Sequence, residues 1–207
     1  MKKGIWLLLV MFLLGGCSVE FSMEDEHLAY LSHKVGNDHE KMFEEMNMGI
    51  ILNYDLKLTK ADKTWVTVWV EGYRDGEPMT PSRLTELSYG FSQEEEQEGS
   101  VGFGIIQPEE GEELVSLYAP GATTGPEVIP NNPINTDKPH GYGYTLEEKI
   151  TLDSGDTKVI GAYYESEQDN MIRSVDMQTE EGLKEMIHDE HVVLLLKIKV
   201  EERAGEN

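Results

Sequence analysis

From Gly49 onward the chain alternates apolar and polar residues, and this period of two constrains the fold more than any other feature. In the segment "GIILNYDLKLTK", Leu52, Tyr54, Leu56 and Leu58 occupy every second position. Successive side chains of a β-strand point to opposite faces, so this spacing predicts a strand with one buried face. The next segment, "TWVTVWV", is apolar or aromatic on both faces, which predicts a strand packed on one side and partly covered on the other.

Short turn segments between such strands predict two β-hairpins. Residues 61–63 join the first two strands and give a hairpin over residues 50–74, after which Asp75-Gly76 is a further turn signal. The turn at residues 153–156 precedes a returning strand over residues 159–164 and gives the second hairpin.

The remaining segments complete a mainly β pattern. "PSRLTELSYGFS" fits either a strand or a short helix, "VGFGII" and "ELVSLYAP" fit strands, and "HVVLLLKIKV" fits a central strand. Thr179 predicts the start of a helix whose apolar side is Leu183, Met186 and Ile187. We therefore expect one antiparallel β-sandwich, Ig-like in general shape, with one or two short helices, over residues 49–203 and followed by a tail at 204–207.

Two segments leave alternatives open. Residues 119–143 hold five prolines and form a long loop that is either functional or a crossover connecting two sheets. Residues 17–48 are rich in Glu, Met and His, and they predict a partly helical tether or a helix docked on the sheet. In that tether, Leu28 and Leu31 give the apolar stripe of one helix, and a second helix begins at Asp38 with the apolar residues Met42, Phe43 and Met46.

The formal net charge of −23 argues against two classes of partner. A surface with this excess of carboxylates repels phosphate backbones and anionic lipid head groups, so we expect neither nucleic-acid binding nor a polybasic membrane patch. The charge favours cationic partners or loosely held divalent ions, or it simply keeps an exported protein in solution.

The first sixteen residues have the features of an export signal. Lys2 and Lys3 precede an unbroken apolar run at Ile5–Leu14, which is about half of the roughly 20 residues that a membrane-spanning helix needs. The segment Leu14-Gly15-Gly16-Cys17 then resembles the lipobox of bacterial lipoproteins: an aliphatic residue, a small residue, Gly or Ala, and Cys. The resemblance covers only this signal segment.

The lipoprotein resemblance implies a membrane anchor. It implies that the signal at residues 1–16 is cleaved between Gly16 and Cys17, and that Cys17 carries a diacylglycerol thioether. The protein would then face outward from the cell membrane. Ser18 follows the cysteine, so the Asp linked to inner-membrane retention in Gram-negative bacteria is absent; the sequence does not fix the cell type, and we expect a Gram-positive one. Cys17 is the only cysteine, so no intramolecular disulfide can form.

Two sets of side chains are candidates for a binding site. Trp and Tyr are favoured at binding surfaces, so a ligand groove is one interpretation of the aromatic residues, and packing in the core is the other. The aromatic candidates are Trp65, Trp69, Tyr73, Tyr142 and Tyr144. His188 and His191 are three residues apart and would share a helix face able to hold a metal, unless the helix ends there and leaves them solvated.

No motif for catalysis is present in the sequence. It contains neither GxSxG nor HExxH, and Gly102-Phe103-Gly104 is not followed by a helix start. We therefore expect a non-enzymatic envelope protein without a cofactor, which binds an envelope protein, a peptide or a wall component. The alternative is a small metal-binding protein or metal-dependent enzyme that uses His188 and His191.

Overall fold

The computed structural model describes residues 27–33, 35–146, 149–167 and 174–203, which form two packed antiparallel β-sheets and two helices. Sheet A contains β1 (Ala29–His33), β2 (Gly49–Leu58), β5 (Gln97–Ile106), β6 (Leu114–Ala119), β7 (Ala122–Thr123) and β9 (Lys149–Leu152). Sheet B contains β3 (Thr64–Arg74), β4 (Glu77–Gly90), β8 (His140–Tyr144), β10 (Thr157–Glu165) and β11 (Val192–Glu202). The helices are α1 (Asp38–Glu45) and α2 (Glu180–Asp189).

The strand orders are β7-β6-β5-β2-β1-β9 in sheet A and β4-β3-β11-β10-β8 in sheet B. This arrangement is the predicted β-sandwich. Among the described residues, no helix has the length and the apolar character needed to cross a membrane.

The core lies between the sheets and is filled by the alternating apolar residues. Leu52, Tyr54 and Leu56 of β2 are buried in one cluster with Val66 and Val68 of β3. Burial of such side chains removes apolar surface from water at roughly 25 cal/mol per Å², which makes this layer the main source of stability. The hydroxyl of Tyr54 donates a hydrogen bond to a backbone carbonyl of β10, so one polar link crosses the apolar layer.

Both predicted hairpins are wrong, because the strands that each turn joins lie in different sheets. β2 pairs with β1 and β5, whereas β3 pairs with β4 and β11. In the same way β9 belongs to sheet A and β10 to sheet B. An alternating pattern indicates that one face of a strand is buried, but it does not indicate which strand lies beside it. A turn that leads from one sheet to the other therefore fits the pattern as well as a hairpin turn does. A two-residue hairpin turn does occur at Asp75-Gly76, between β3 and β4.

The expected tether contributes a strand to the sandwich. Leu28 and Leu31, which we expected on a helix, are buried in the core, and the strand β1 lies between β2 and β9. Their spacing of three residues fits a helix, and the true alternation, Ala29 and Leu31 of β1, is too short in a strand of five residues for a period of two to stand out. Sheet pairing therefore decides the conformation here, and local pattern does not.

The helix predicted from Asp38 is confirmed as α1. The side chain of Asn37 caps it by accepting hydrogen bonds from the backbone N–H groups of His39 and Glu40. Its predicted apolar side is only partly used, because Met42 and Met46 are exposed.

The helix after Thr179 and the central strand after it are confirmed. The Thr179 hydroxyl accepts a hydrogen bond from the Gly182 N–H at 3.1 Å, and Met186 is buried on the outer face of sheet B with Leu183 and Ile187 packed beside it. β11 lies between β3 and β10, as a strand that is apolar on both faces should.

The segment "PSRLTELSYGFS" is a strand, β4, rather than a helix. The proline-rich loop connects the two sheets, since it leaves sheet A after β7 and enters sheet B at β8. Ile129 and Ile134 of this loop are buried in the core, so the loop is packed against the sandwich.

Candidate functional site

The outer face of sheet A carries an open groove of about 790 Å³. The even-numbered residues of β2 point into the core, so the odd-numbered residues point outward. Strand pairing sets the outward residues of β9, β1, β2 and β5 side by side in two rows. We call these eight residues the sheet A groove: Thr151, Tyr30, Lys57 and Glu98 in one row, and Lys149, Ser32, Asp55 and Ser100 in the other.

The groove is the part of this face that the described residues leave uncovered. At one end of the face, α1 packs across β2, and Phe43 lies near Gly104 of β5. In the middle, Tyr118 lies over Gly102 and donates a hydrogen bond to Asn53 Oδ1 at 2.9 Å. Burial, followed by the nearby phenol of Tyr144, raises the pKa of Tyr118, so its hydroxyl stays a proton donor at neutral pH.

Tyr30 is the centre of the sheet A groove. The Lys149 ammonium lies 4.8 Å from the centroid of its ring, and the His27 ring meets it edge-on at 6.0 Å. A second hollow shares Tyr30 and Lys149 and adds Lys158 of β10. An aromatic ring with cations around it offers both a stacking surface and hydrogen-bond donors to a polar ligand.

Lys57 of the groove forms weak ion pairs with nearby carboxylates. The Lys57 ammonium lies 3.3 Å from a Glu96 carboxylate oxygen and 3.9 Å from one of Glu98. Exposed ion pairs of this kind contribute about 0–1 kcal/mol, so a ligand can replace them at little cost. The groove presents hydroxyl groups, both signs of charge and one ring, which are groups that a polar ligand can contact.

The aromatic candidates of β3 share the outer face of sheet B and contact charged residues of this chain. Trp69 is buried, and the Arg83 guanidinium lies 4.3 Å from the centroid of its ring. Trp65 packs against Phe91 at 5.4 Å between ring centroids, and Arg203 lies 5.1 Å from its ring. Much of the surface of these indole rings is therefore already in contact within the chain.

Glu71 joins two of these aromatic residues to a lysine. Its carboxylate accepts hydrogen bonds from Trp69 Nε1 at 2.9 Å, from the Tyr73 hydroxyl at 3.1 Å and from Lys197 Nζ at 2.6 Å. Burial acts to raise the pKa of Glu71, but these bonds, that from Lys197 first, outweigh it and lower the pKa below its ordinary value. The polar atoms of Trp69 and Tyr73 are thus satisfied internally.

Two strands, β11 and β10, lie between the candidates of β8 and those of β3, so the five aromatic residues do not form one surface. The Tyr144 ring stacks on His33 with centroids 4.0 Å apart, and its hydroxyl donates a hydrogen bond to Glu40 and lies 3.2 Å from the Asn53 carbonyl oxygen. Burial, and then the bond to Glu40, raise the pKa of Tyr144. Tyr142 is exposed and lines a cleft of about 390 Å³ beside α1. A ligand role for the five residues stays a prediction.

The two candidate metal-binding histidines contact different carboxylates. His188 is exposed in the last turn of α2, and its Nδ1 lies 2.8 Å from Asp189 Oδ1. His191 lies beyond the end of α2, and its Nδ1 lies 2.7 Å from Asp75 Oδ1 and 3.3 Å from Glu167 Oε1. The shared helix face does not form because α2 ends at Asp189. Gly16 and Cys17 lie outside the described residues, so the lipobox stays a prediction.

Sequence reasoning missed the sheet A groove, although one signal for it was present. Asp55 and Lys57 are the polar members of the alternation in β2, and their outward direction follows from the period of two. Tyr30 was hidden because its segment fitted a helix. Lys149 and Ser100 join the groove only through pairings between strands distant in the chain, which no local pattern contains.

Comparison with known proteins gives one result on the family. The model of a family described as the YgaN domain matches residues 51–200. Searches of the curated proteins and of the solved structures gave no match. The matched range begins within β2 and ends within β11, so it includes the β2, β5 and β9 portions of the groove but not β1.

Proposed function

The chain belongs to the YgaN domain family, and we propose that it is a lipid-anchored, non-enzymatic binding protein that holds its ligand in the sheet A groove. The ligand is a polar, extended component of the cell envelope: a segment of an envelope protein, a peptide or a wall component. The groove is the observation that carries this proposal, because it is an open sheet face with a central tyrosine and polar residues on four strands.

The overall charge narrows the class of ligand. With a net charge of −23, the chain repels polyanions at long range, which excludes nucleic acid. Within the groove the positive and negative charges are equal in number: Lys57 and Lys149 lie beside Asp55 and Glu98. A ligand carrying hydroxyl groups, amides or single charges of either sign fits such a surface.

The anchor is supported by the lipobox segment at residues 14–17. One acyl chain binds a membrane only marginally, whereas the two chains of a diacylglycerol on Cys17 give stable attachment to the outer face of the cell membrane. An extended chain spans at most about 3.6 Å per residue, so His27 would lie within roughly 36 Å of the anchored Cys17. The sandwich would therefore work close to the membrane surface.

Metabolic labelling tests the anchor. Cells that express the chain with Cys17 should incorporate labelled palmitate into it and retain it in the membrane fraction. Cells that express Cys17→Ser should do neither. Label that persists unchanged in Cys17→Ser would contradict the anchor without bearing on the groove.

Site-directed photo-crosslinking tests the groove. A photoreactive amino acid in place of Ser100, within the groove, should give an adduct with an envelope component in intact cells. The same amino acid in place of Ser88, which is exposed on β4 in sheet B, is the matched control and should give none. Tyr30→Ala in the Ser100 background should remove the adduct. Equal adducts at both positions, or an adduct unaffected by Tyr30→Ala, would contradict binding in the groove.

A further inference from the structure

Three potential metal ligands converge at one end of sheet B. Asp75 lies in the turn between β3 and β4, Glu167 follows β10, and His191 precedes β11. One ligand atom from each lies within 4.8 Å of the other two, and the His191 Nδ1 is 2.7 Å and 3.3 Å from the oxygens of Asp75 and Glu167. Residues far apart in the sequence therefore bring one nitrogen and two oxygens to a single point.

The backbone holds two of these ligands in place. The Asp75 N–H donates a hydrogen bond to the His191 carbonyl at 3.0 Å, and the His191 N–H donates one to the Glu165 carbonyl at 3.0 Å. Asp75 and Gly76 both have positive φ, as a type I′ hairpin turn requires, and this turn fixes where the Asp75 side chain begins. These backbone hydrogen bonds continue the pairing of β3, β11 and β10, so the ligands stand at the end of a paired sheet, which is a rigid support for a site.

The two carboxylates of this cluster outnumber its single imidazole. Two carboxylates repel each other at such short range, and a single imidazole can offset at most one negative charge. Moreover, Nδ1 carries one hydrogen at most, so it cannot donate a linear hydrogen bond to both oxygens. A divalent cation compensates both carboxylates and accepts the lone pair of the neutral imidazole.

The His191 Nδ1 lies 3.3 Å from the Glu167 oxygen, close to the spacing of two ligands on one ion, and its 2.7 Å contact with Asp75 is a hydrogen-bond distance that must lengthen when an ion binds. Zn²⁺ binds nitrogen and oxygen ligands at about 2.0–2.2 Å, which places two ligands of a tetrahedral ion roughly 3.4 Å apart. The His191 side chain is 19% exposed, whereas those of Asp75 and Glu167 are 64% and 71% exposed, so one side of the cluster is open to solvent. We propose that Asp75, Glu167 and His191 form a Zn²⁺ site with an open position, distinct from the His188 and His191 pair that the sequence suggests.

Zinc titration by calorimetry tests this site. The protein is the full chain carrying Cys17→Ser, purified in detergent without a histidine tag and stripped with a chelator, so that no free thiol competes for zinc. The starting protein should bind about one Zn²⁺ per chain. His191→Ala, Asp75→Asn and Glu167→Gln should each weaken the affinity at least about tenfold. Asp75→Asn preserves the fold, because Asn-Gly is as suitable for a type I′ turn as Asp-Gly.

His188→Ala is the matched control, since it removes an exposed imidazole three positions away, and it should bind zinc like the starting protein. Zinc should also raise the thermal unfolding temperature of the starting protein and of His188→Ala, but not that of His191→Ala. Absence of zinc binding, or equal affinity in His191→Ala, would overturn the site. An equal loss in His188→Ala would overturn the proposed ligand set. None of these results depends on the sheet A groove.

Discussion

Glu71 stabilises the fold as a charged residue, because three donors converge on its partly buried carboxylate. Its pKa is lower in the folded chain than its ordinary value of 4.5, so its stabilisation is complete above pH 4.5 and is lost as the pH falls through the folded pKa. We expect Glu71→Gln to lower the free energy of unfolding by about 1 kcal/mol at pH 7 and by less at pH 3. Urea unfolding at both pH values measures this, with the exposed Glu86→Gln as control, and an equal loss at both would contradict it.

Glu165 shows the opposite behaviour. Its side chain is fully buried, and its Oε1 accepts hydrogen bonds from the Asn135 N–H at 2.6 Å and from the Tyr163 hydroxyl at 2.8 Å. Its Oε2 has no hydrogen-bond partner among the described residues. Burial raises the pKa of Glu165 above its ordinary value, and these two bonds only partly offset the effect. Ionisation of Glu165 therefore weakens the fold.

The raised pKa of Glu165 predicts a change of stability with pH. The folded chain holds this proton to a higher pH than the unfolded chain does, so the wild type gains stability as the pH falls from 7 towards 4.5. Glu165→Gln keeps the Oε1 acceptor but cannot titrate. As the pH falls from 7 to 5, we expect the unfolding free energy of the wild type to rise relative to that of Glu165→Gln. A difference that stays constant, or moves the other way, would show that the buried carboxyl is not protonated more readily in the fold.

Two glycines of β5 differ in how much space a side chain would have at their positions. A Cβ on Gly102 would lie 2.3 Å from the Leu52 carbonyl oxygen and 2.3 Å from the Tyr118 hydroxyl, whereas a Cβ on Gly104 would meet nothing closer than 3.8 Å. We expect Gly102→Ala to cost about 1–3 kcal/mol, because a backbone carbonyl cannot move aside. Gly104→Ala should be neutral or stabilise by roughly 0.5 kcal/mol. Thermal unfolding compares the two, and equal effects would contradict the close approach of Tyr118.

At the scale of elements, the sequence predicts the strands and their faces but not their neighbours. The core residues Leu52 and Leu56 follow from the period of two, because the burial of one face is visible in the local sequence. Strand pairing is not visible there: the turn at residues 61–63 looks like a hairpin turn but carries the chain from sheet A to sheet B. The proposed groove depends on pairing, since Tyr30 and Lys57 are adjacent only through the register of β1 and β2. The elements were therefore predictable from sequence and the surface was not.

At the scale of the whole molecule, β1 determines where the folding unit begins. Within the part of the chain that the structure describes, β9 pairs only with β1, so loss of β1 removes the support of β9 and exposes an edge of β2. It also removes Leu28 and Leu31 from the core. Loss of a single buried leucine side chain costs about 2–5 kcal/mol, and a whole domain is stable by only about 5–15 kcal/mol.

We therefore expect a chain of residues 27–203 to unfold cooperatively and one of residues 49–203 to lack a stable core, although the family match covers only residues 51–200. Thermal unfolding followed by near-ultraviolet circular dichroism distinguishes the two. A point variant serves as control: in the 27–203 chain, Leu31→Ala should cost about 2–5 kcal/mol, and Tyr30→Ala, at a half-exposed position of the groove, should cost less. A cooperative transition in the 49–203 chain would mean that β2 and β9 are held without β1. The groove, whose central tyrosine lies on β1, would then be an addition to the folded unit and not part of it.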